Sequence, residues 1–457
     1  YHANFTFKQL YHTNMSQRPE YKDRKFISDA VEKTIDCVKQ AIADPSLSNL
    51  FENCFPNTLD TTVNLKMGSG KPDTFVITGD INAMWLRDST AQVWPYLAFV
   101  NEDEKLKKLL LGVIGRQAKC ILIDPYANAF NEGPTYGEWQ SDLTIMKPGL
   151  HERKWELDSL CYSVRLAYNF WITTGDNICF DEKWQKASKL ILKTFREQQR
   201  KNNNGSYKFG RVTGWSTDTV PGNGYGNPVN PVGLIASIFR PSDDATVYPF
   251  LVPSNYFAVV SLKQLAQISE KVFRDDNFAS ECLSLAREVE EALLNFAVTT
   301  HLNFGEIFAY EVDGFGNKLF MDDANVPSLL ALPYLGCCSV DDVVYQSTRK
   351  FLLSANNPYF FKGKAAEGIG SPHTLVNRIW PLSICMRALT SDNDEEILQC
   401  LNWLKTTDAG TGLMHESFDK DNAADFTRKW FAWANSLFGE LIIKLYNERP
   451  HLLKTVF

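Results

Sequence analysis

Twelve segments of the chain carry helical periodicity, and they alternate between two kinds. Six show an apolar stripe opposite a charged face, near 24–43, 103–124, 182–200, 276–297, 342–353 and 393–405; "EKWQKASKLILKTFREQQR" is typical. Six others, near 88–99, 156–173, 255–272, 324–335, 374–390 and 427–446, are apolar around most of their circumference, as in "RKWFAWANSLFGELIIKLY". A helix that is apolar all round must be enclosed, whereas a striped one can cover it and still face water. Six enclosed helices wrapped by six covering ones predict an all-α fold, an (α/α)6 toroid. No sequence recurs at a fixed period, which argues against a solenoid of helix pairs. Pro95 and Pro381 fall inside two inner segments and predict kinks or shortening there. "KFGRVTGWS" and "EIFAYEVDGFGNKLFMD" read as strands with turn glycines, predicting small β-hairpin insertions beside the toroid.

No linker, charge block or low-complexity tract divides the 457 residues, so a single domain spanning 1–457 is expected. The net charge of −7, with no basic run, argues against a nucleic-acid partner. No run of 18 or more apolar residues is present to span a membrane. The ten cysteines form no C-x-x-C, and Cys120, Cys161, Cys385 and Cys400 sit in helical stretches. They read as small buried hydrophobes, not as a disulfide framework or a zinc site. The chain opens on Tyr1 without an initiator Met, which implies a processed or truncated N-terminus of a soluble protein. Bacterial periplasm and cytoplasm both stay open. Sequons at Asn4, Asn14 and Asn204 do not decide between compartments.

The segments that precede the inner helices are rich in acids, amides and aromatics: "GDINAMWLRD", "GEWQSD" with "HERKWELD", "RPSDDATVYPFLVPSN", "MDDAN", "AAEGIGSPH" and "HESFDKDNAADFTRKW". If the inner helices run parallel, these segments meet at one mouth of the barrel and converge on a concave pocket. The chemistry there narrows by elimination. With seven His, no H-E-x-x-H and no D-x-[DN]-x-[DN]-G loop, neither a metal nor another cofactor is expected. "KMGSGKPDTF" lacks the phosphate-loop spacing and reads as a surface turn, and no G-x-S-x-G elbow supports acyl transfer. Carboxylate chemistry remains. Glycoside hydrolysis needs one acid to protonate the leaving oxygen and a second to activate water or attack carbon. Thirteen loop acids between Asp80 and Asp425 are candidates, and each alone also reads as a helix cap or ion-pair partner. Asp88-Ser89-Thr90 has the form of a cap, and Asp323 and Asp425 are candidates for the same role.

"GDINAMWLRDSTAQVWPYL", "FRPSDDATVYPFLVPSN" and "HESFDKDN", in this order, resemble glycoside hydrolase family 125, and the similarity runs along nearly the whole chain. The resemblance implies an (α/α)6 fold and an exo-acting α-1,6-mannosidase, in a family mostly bacterial and fungal. It also implies an inverting, metal-independent mechanism that releases mannose from non-reducing ends. The implied general acid is an aspartate of "RPSDD", Asp243 in preference to Asp244, and the implied general base is Glu416. An adjacent carboxylate in the tandem pair would help keep the acid protonated. Glu416 has to stay ionised, with His415 or Arg428 to hold it. For inversion the two carboxyl groups should stand roughly 6.5–9.5 Å apart. Arg87 and Asp88 suit a vicinal diol, as a forked donor beside a two-oxygen acceptor. Trp85, Trp139 and Trp215 are candidates for a face that stacks on sugar, and equally for core packing. Glu138, Asn325 and His373 are polar candidates from their position at the mouth, and the 201–255 segment is a candidate rim. The expected partner is an α-mannoside oligosaccharide, from mannan or an N-glycan, bound by a monomer. A non-catalytic mannoside-binding protein on the same toroid is the alternative, and retention of both "RPSDD" and Glu416 speaks against it. A different (α/α)6 enzyme, such as a polysaccharide lyase, would call for a basic groove that this acidic chain does not suggest.

Overall fold

The computed structural model describes residues 16–457, so the sequons at Asn4 and Asn14 lie outside the described residues, while Asn204 is exposed. The first helices are α1 (Asp29–Ala41), α2 (Pro45–Cys54), α3 (Asn57–Thr61), α4 (Leu86–Val93), α5 (Glu104–Ile123) and α6 (Leu157–Thr174). They continue with α7 (Glu182–Gln198), α8 (Val252–Ile268), α9 (Asp276–Phe296), α10 (Val343–Leu352), α11 (Pro381–Leu389), α12 (Asp394–Thr406) and α13 (Ala432–Glu448). Helices α4, α6, α8, α11 and α13 are the ones predicted to be enclosed. In the fold α4 packs on α6 and α13, α6 on α8, and α11 on α13, forming the inner ring of an (α/α)6 barrel. The striped helices α5, α7, α9, α10 and α12, with α1 and α2, lie around it. Cys120, Cys161, Cys385 and Cys400 are buried as expected, and none of the cysteines is in a disulfide.

One predicted inner helix does not form. Residues 324–335 are a chain of turns, buried throughout 324–332. Pro327 and Pro333 remove backbone donors and clash with helical geometry. The amides of Leu329 and Leu330 donate instead to the Asp322 carboxylate, at 2.9 and 3.0 Å. Apolar enclosure was the right reading of this stretch; helical conformation was not. Both other prolines act as expected. Pro95 ends α4 in a 3-10 turn, Trp94–Phe99, and Pro381 starts α11, so 375–380 is non-helical.

The hairpin expectation holds for one of its two segments. Gly305–Phe308 pairs with Val298–His301, and Glu311–Val312 lies between Lys318–Leu319 and Phe250–Leu251. "KFGRVTGWS" forms no strand: Gly210 exchanges backbone bonds with Leu143, and Phe209 donates to Gly224, so loops take up its hydrogen bonds. The Ser69-Gly70 turn joins strands Val63–Gly68 and Lys71–Val76, with both turn residues at positive φ, as a two-residue hairpin loop requires.

The two rings begin their helices differently. Ser28, Asp103, Asp181, Asp275, Asp342 and Asn393 cap α1, α5, α7, α9, α10 and α12 with side-chain oxygens. The inner helices α4, α6, α8, α11 and α13 follow Trp85, Glu156, Leu251, Trp380 and Phe431, and none has a side-chain cap. Asp88 is therefore no cap but a first-turn residue of α4. Asp323 serves a turn at Asn325, and Asp425 pairs with Arg378.

Candidate active site

The segments entering the inner helices meet at a small, partly open cavity of about 50 Å³. Thr78, Ile81, Trp85, Arg87 and Asp88 line it from the first, Pro241, Ser242 and Asp243 from the third, Asn325 from the fourth and His373 from the fifth. Trp380 at the start of α11, and Glu416, Arg428, Phe431 and Trp433 around the start of α13, complete the wall. Trp85, Trp380, Phe431 and Trp433 make its wall aromatic, with a few convergent polar groups, as in small-ligand sites.

The tandem acids separate. Asp243 has φ +69°, a left-handed conformation that aspartate tolerates better than most residues, and the turn directs successive side chains apart. Asp243 lines the cavity and accepts from Arg87 Nη2 at 3.1 Å. Asp244 is spent inside the wall, where it meets Thr217 Oγ1, Ser242 Oγ and His373 Nδ1, each at 3.2 Å. Two side chains anchor this loop: Arg240 donates to Glu311 at 2.6 Å, and Glu311 also accepts the amides of Val247 and Tyr248 at 3.0 Å.

Arg87 is 3% exposed and is ringed by carboxylates. Besides Asp243 it meets Glu156, Asp158 at 3.4 Å and Asp88 at 3.4 Å. These acids raise the guanidinium's pKa well above its ordinary value, outweighing burial. Burial pushes the carboxyls of Asp88 and Glu156 up, and that of Asp158 up to about 6. Asp243 moves the other way. Burial works to raise it, but the hydrogen bond with Glu156 and the charges of Arg87 and Lys154 hold it well below the usual carboxylate range.

Glu416 precedes the strand Ser417–Asp419 and accepts from Arg428 Nη1 at 3.2 Å. Arg428 also grips Asp80 and so ties the first and last mouth segments together. His415 does not hold Glu416. Its ring nitrogens face the carbonyls of Lys429 and Asp408, and it stacks on Phe426 at 3.9 Å. The His373 side chain is partly exposed; desolvation works to lower its pKa, but Asp244, Glu416 and Asp243 raise it to about 9, which favours the cation at neutral pH.

Of the residues singled out from the sequence, Trp85, Arg87, Asp88, Asp243, Asn325, His373 and Glu416 come together in the cavity wall. Glu138, Trp139 and Trp215 do not. Glu138 is exposed, the Trp139 ring is covered by the Arg211 guanidinium at 3.6 Å, and Trp215 is 46% exposed on its loop. Sequence reasoning missed Glu156, Asp158, Trp380 and Trp433. Glu156 and Asp158 lie in the flagged "HERKWELD" segment, and their position just before and inside the first turn of an inner helix was the available signal.

The family model described as metal-independent alpha-mannosidase (GH125) matches residues 44–443. The chain is 44% identical to the meiotically up-regulated gene 157 protein of Schizosaccharomyces pombe, over 96% of this chain and 90% of that protein. A Streptococcus pneumoniae structure from the metal-independent α-mannosidases, in a non-productive complex with α-1,6-mannobiose, shares 42% identity. The alignment spans 93% of this chain and all of that one, with a TM-score of 0.89. A bacterial glucoamylase complexed with acarbose is similar in fold alone, at 13% identity and a TM-score of 0.55, over 89% of this chain and 57% of that one.

Proposed function

The chain belongs to the GH125 family of metal-independent α-mannosidases, and from that premise we propose an exo-acting, inverting enzyme that removes terminal α-1,6-linked mannose. The observation that carries the mechanism is one small aromatic-floored cavity lined by both Asp243 and Glu416. In this reading Asp243 gives a proton to the leaving glycosidic oxygen. Glu416 takes a proton from a water that attacks C1 on the opposite face, and β-mannose leaves. Asp244 is unsuited to the acid role because its oxygens are engaged within the wall. Asp244 instead orients His373 as a cation beside the cavity.

Two lining residues support a sugar ligand. Trp85 Nε1 and Asp88 Oδ2 are buried and without hydrogen-bond partners among the described residues. A sugar hydroxyl donates and accepts, so neighbouring hydroxyls satisfy both atoms. Arg87 then serves the substrate by fixing Asp88 and Asp243. So small a cavity favours a chain end over an internal residue. The substrate class is an α-mannoside oligosaccharide, and the α-1,6 linkage is favoured by the mannobiose bound to the S. pneumoniae protein. We read residues 1–457 as one catalytic unit. Incubation with α-1,6-, α-1,3- and α-1,2-mannobiose, with and without a chelator, tests the reading. Free mannose from the α-1,6 disaccharide, undiminished by chelator, supports it. Failure to cleave any α-mannoside sinks it, and faster cleavage of another linkage overturns the specificity.

A further inference from the structure

Four carboxylates, those of Asp88, Glu156, Asp158 and Asp243, stand within 3.4 Å of the single guanidinium of Arg87. One cation cannot neutralise four anions, and a buried excess of negative charge is costly. The other cations near Asp243 are Lys154, which donates to its backbone carbonyl at 2.7 Å and to Asp218 at 2.5 Å, and His373. Glu156 itself is fully buried and faces Arg87, Asp158 and Asp243, with the Ser159 hydroxyl at 3.3 Å. Its Oε2 accepts from Arg87, but its Oε1 meets no donor among the described residues. Glu156 Oε2 and Asp243 Oδ1 take the two neighbouring terminal nitrogens of that one guanidinium, which sets the two carboxyls side by side. Two buried carboxyls sharing one guanidinium are best held side by side if one of them carries a proton.

We propose that Glu156 holds that proton in the resting enzyme and is the positioning residue that supplies it to Asp243. The proposal rests on the reading of Asp243 as general acid. A single proton is shared: the Glu156 O–H bond breaks as an Asp243 O–H bond forms. Asp243 then passes the proton to the glycosidic oxygen, which also takes the electron pair of the breaking C1–O bond. Both carboxyls are left ionised, Glu416 holds the proton taken from water, and exchange with solvent restores the start. The arrangement explains how a carboxylate beside Arg87, Lys154 and His373 can act as an acid. Ionising both partners is disfavoured, so the pair keeps its proton to higher pH than an isolated Asp243 would.

Glu156→Gln keeps the shape of a protonated Glu156 but cannot pass on a proton. The expected variant folds, melts within a few degrees of the parent, and loses about tenfold or more in kcat on α-1,6-mannobiose. The alkaline limb of its kcat/KM profile moves down by roughly one pH unit or more. On α-mannosyl fluoride, whose leaving group needs little acid help, Glu156→Gln and Asp243→Asn both lose far less. A variant that melts much lower or does not fold means Glu156 is an ionised partner of Arg87, and overturns the proposal. So does an unmoved alkaline limb, or an equal loss on both substrates. The underlying reading fails separately, if Asp243→Asn cleaves the mannobiose as the parent does.

Discussion

The outer and inner rings solve the same problem at their helix starts in opposite ways. Each helix begins with backbone N–H groups that have no partner within it. The outer helices α7, α9 and α10 satisfy one, and α5 two, with an aspartate directly ahead of the helix, and α12 one with an asparagine. Against burial, Asp103 is held below the ordinary carboxylate range by the Ser28 hydroxyl together with these amides, and Asp181 by its capped amide and Lys71. The inner helices have no such caps, and their acids sit inside the first turn or on adjoining loops. There Asp88 and Asp158 crowd Arg87, and burial raises both. Outer acids thus stabilise helices by being ionised. Asp88, Glu156 and Asp158 are held in surroundings that resist ionisation, and the fold bears this cost where a proton has to be moved.

The sharpest break in the comparison is at the two cavity carboxylates. Glu416→Gln and Asp243→Asn should each lose roughly 10²–10⁴-fold in kcat on α-1,6-mannobiose with melting temperatures near the parent's. If Asp243→Asn stays active while Asp244→Asn does not, the tandem pair has been read in the wrong order. Arg87→Ala comes next. It leaves the inner acids without their cation and should cost about 3–5 kcal/mol at neutral pH, by thermal or urea unfolding. The loss should shrink at pH 5, where those acids can take up protons.

The rings should also respond to pH in opposite directions. Burial pushes Asp322 up to about 7 and Asp158 up to about 6, so the folded state holds protons that the unfolded chain has released. Their effect is an erosion of stability as pH rises from about 4 to about 7. The depressed outer acids contribute stability above the unfolded value near 3.8, lost as pH falls through their folded values. Melting temperature should therefore peak at mildly acidic pH, and Asp322→Asn should flatten the decline toward neutrality. A maximum above pH 7 would contradict this assignment. The smallest effect belongs to an outer cap: Asp181→Ala should cost about 1 kcal/mol of stability and leave turnover on mannobiose unchanged.

The alternation of rings was legible because a helix enclosed on all sides and a helix covered on one leave different periodicities. Enclosure does not dictate helix, however. Segment 324–335 is as apolar as its neighbours, and only Pro327 and Pro333 mark it as turns. At the site, the motifs brought Asp243 and Glu416 to one cavity. The neighbour that governs Asp243 was expected to be Asp244, next in sequence. The left-handed turn at Asp243 parts the two, and the governing carboxyl is Glu156, brought in by the start of α6. Tertiary neighbours of this kind leave no local trace. Trp139 and Trp215 were misplaced for a related reason: sequence marks a tryptophan in a loop but not what covers its face.

The central claim is that Asp243 and Glu416 divide acid and base between them with water as nucleophile. Proton NMR of the first mannose released from α-1,6-mannobiose, followed faster than mutarotation, tests it most directly. The account predicts that the β-anomer appears first and the α-anomer only as the sugar equilibrates. Initial release of α-mannose would contradict it.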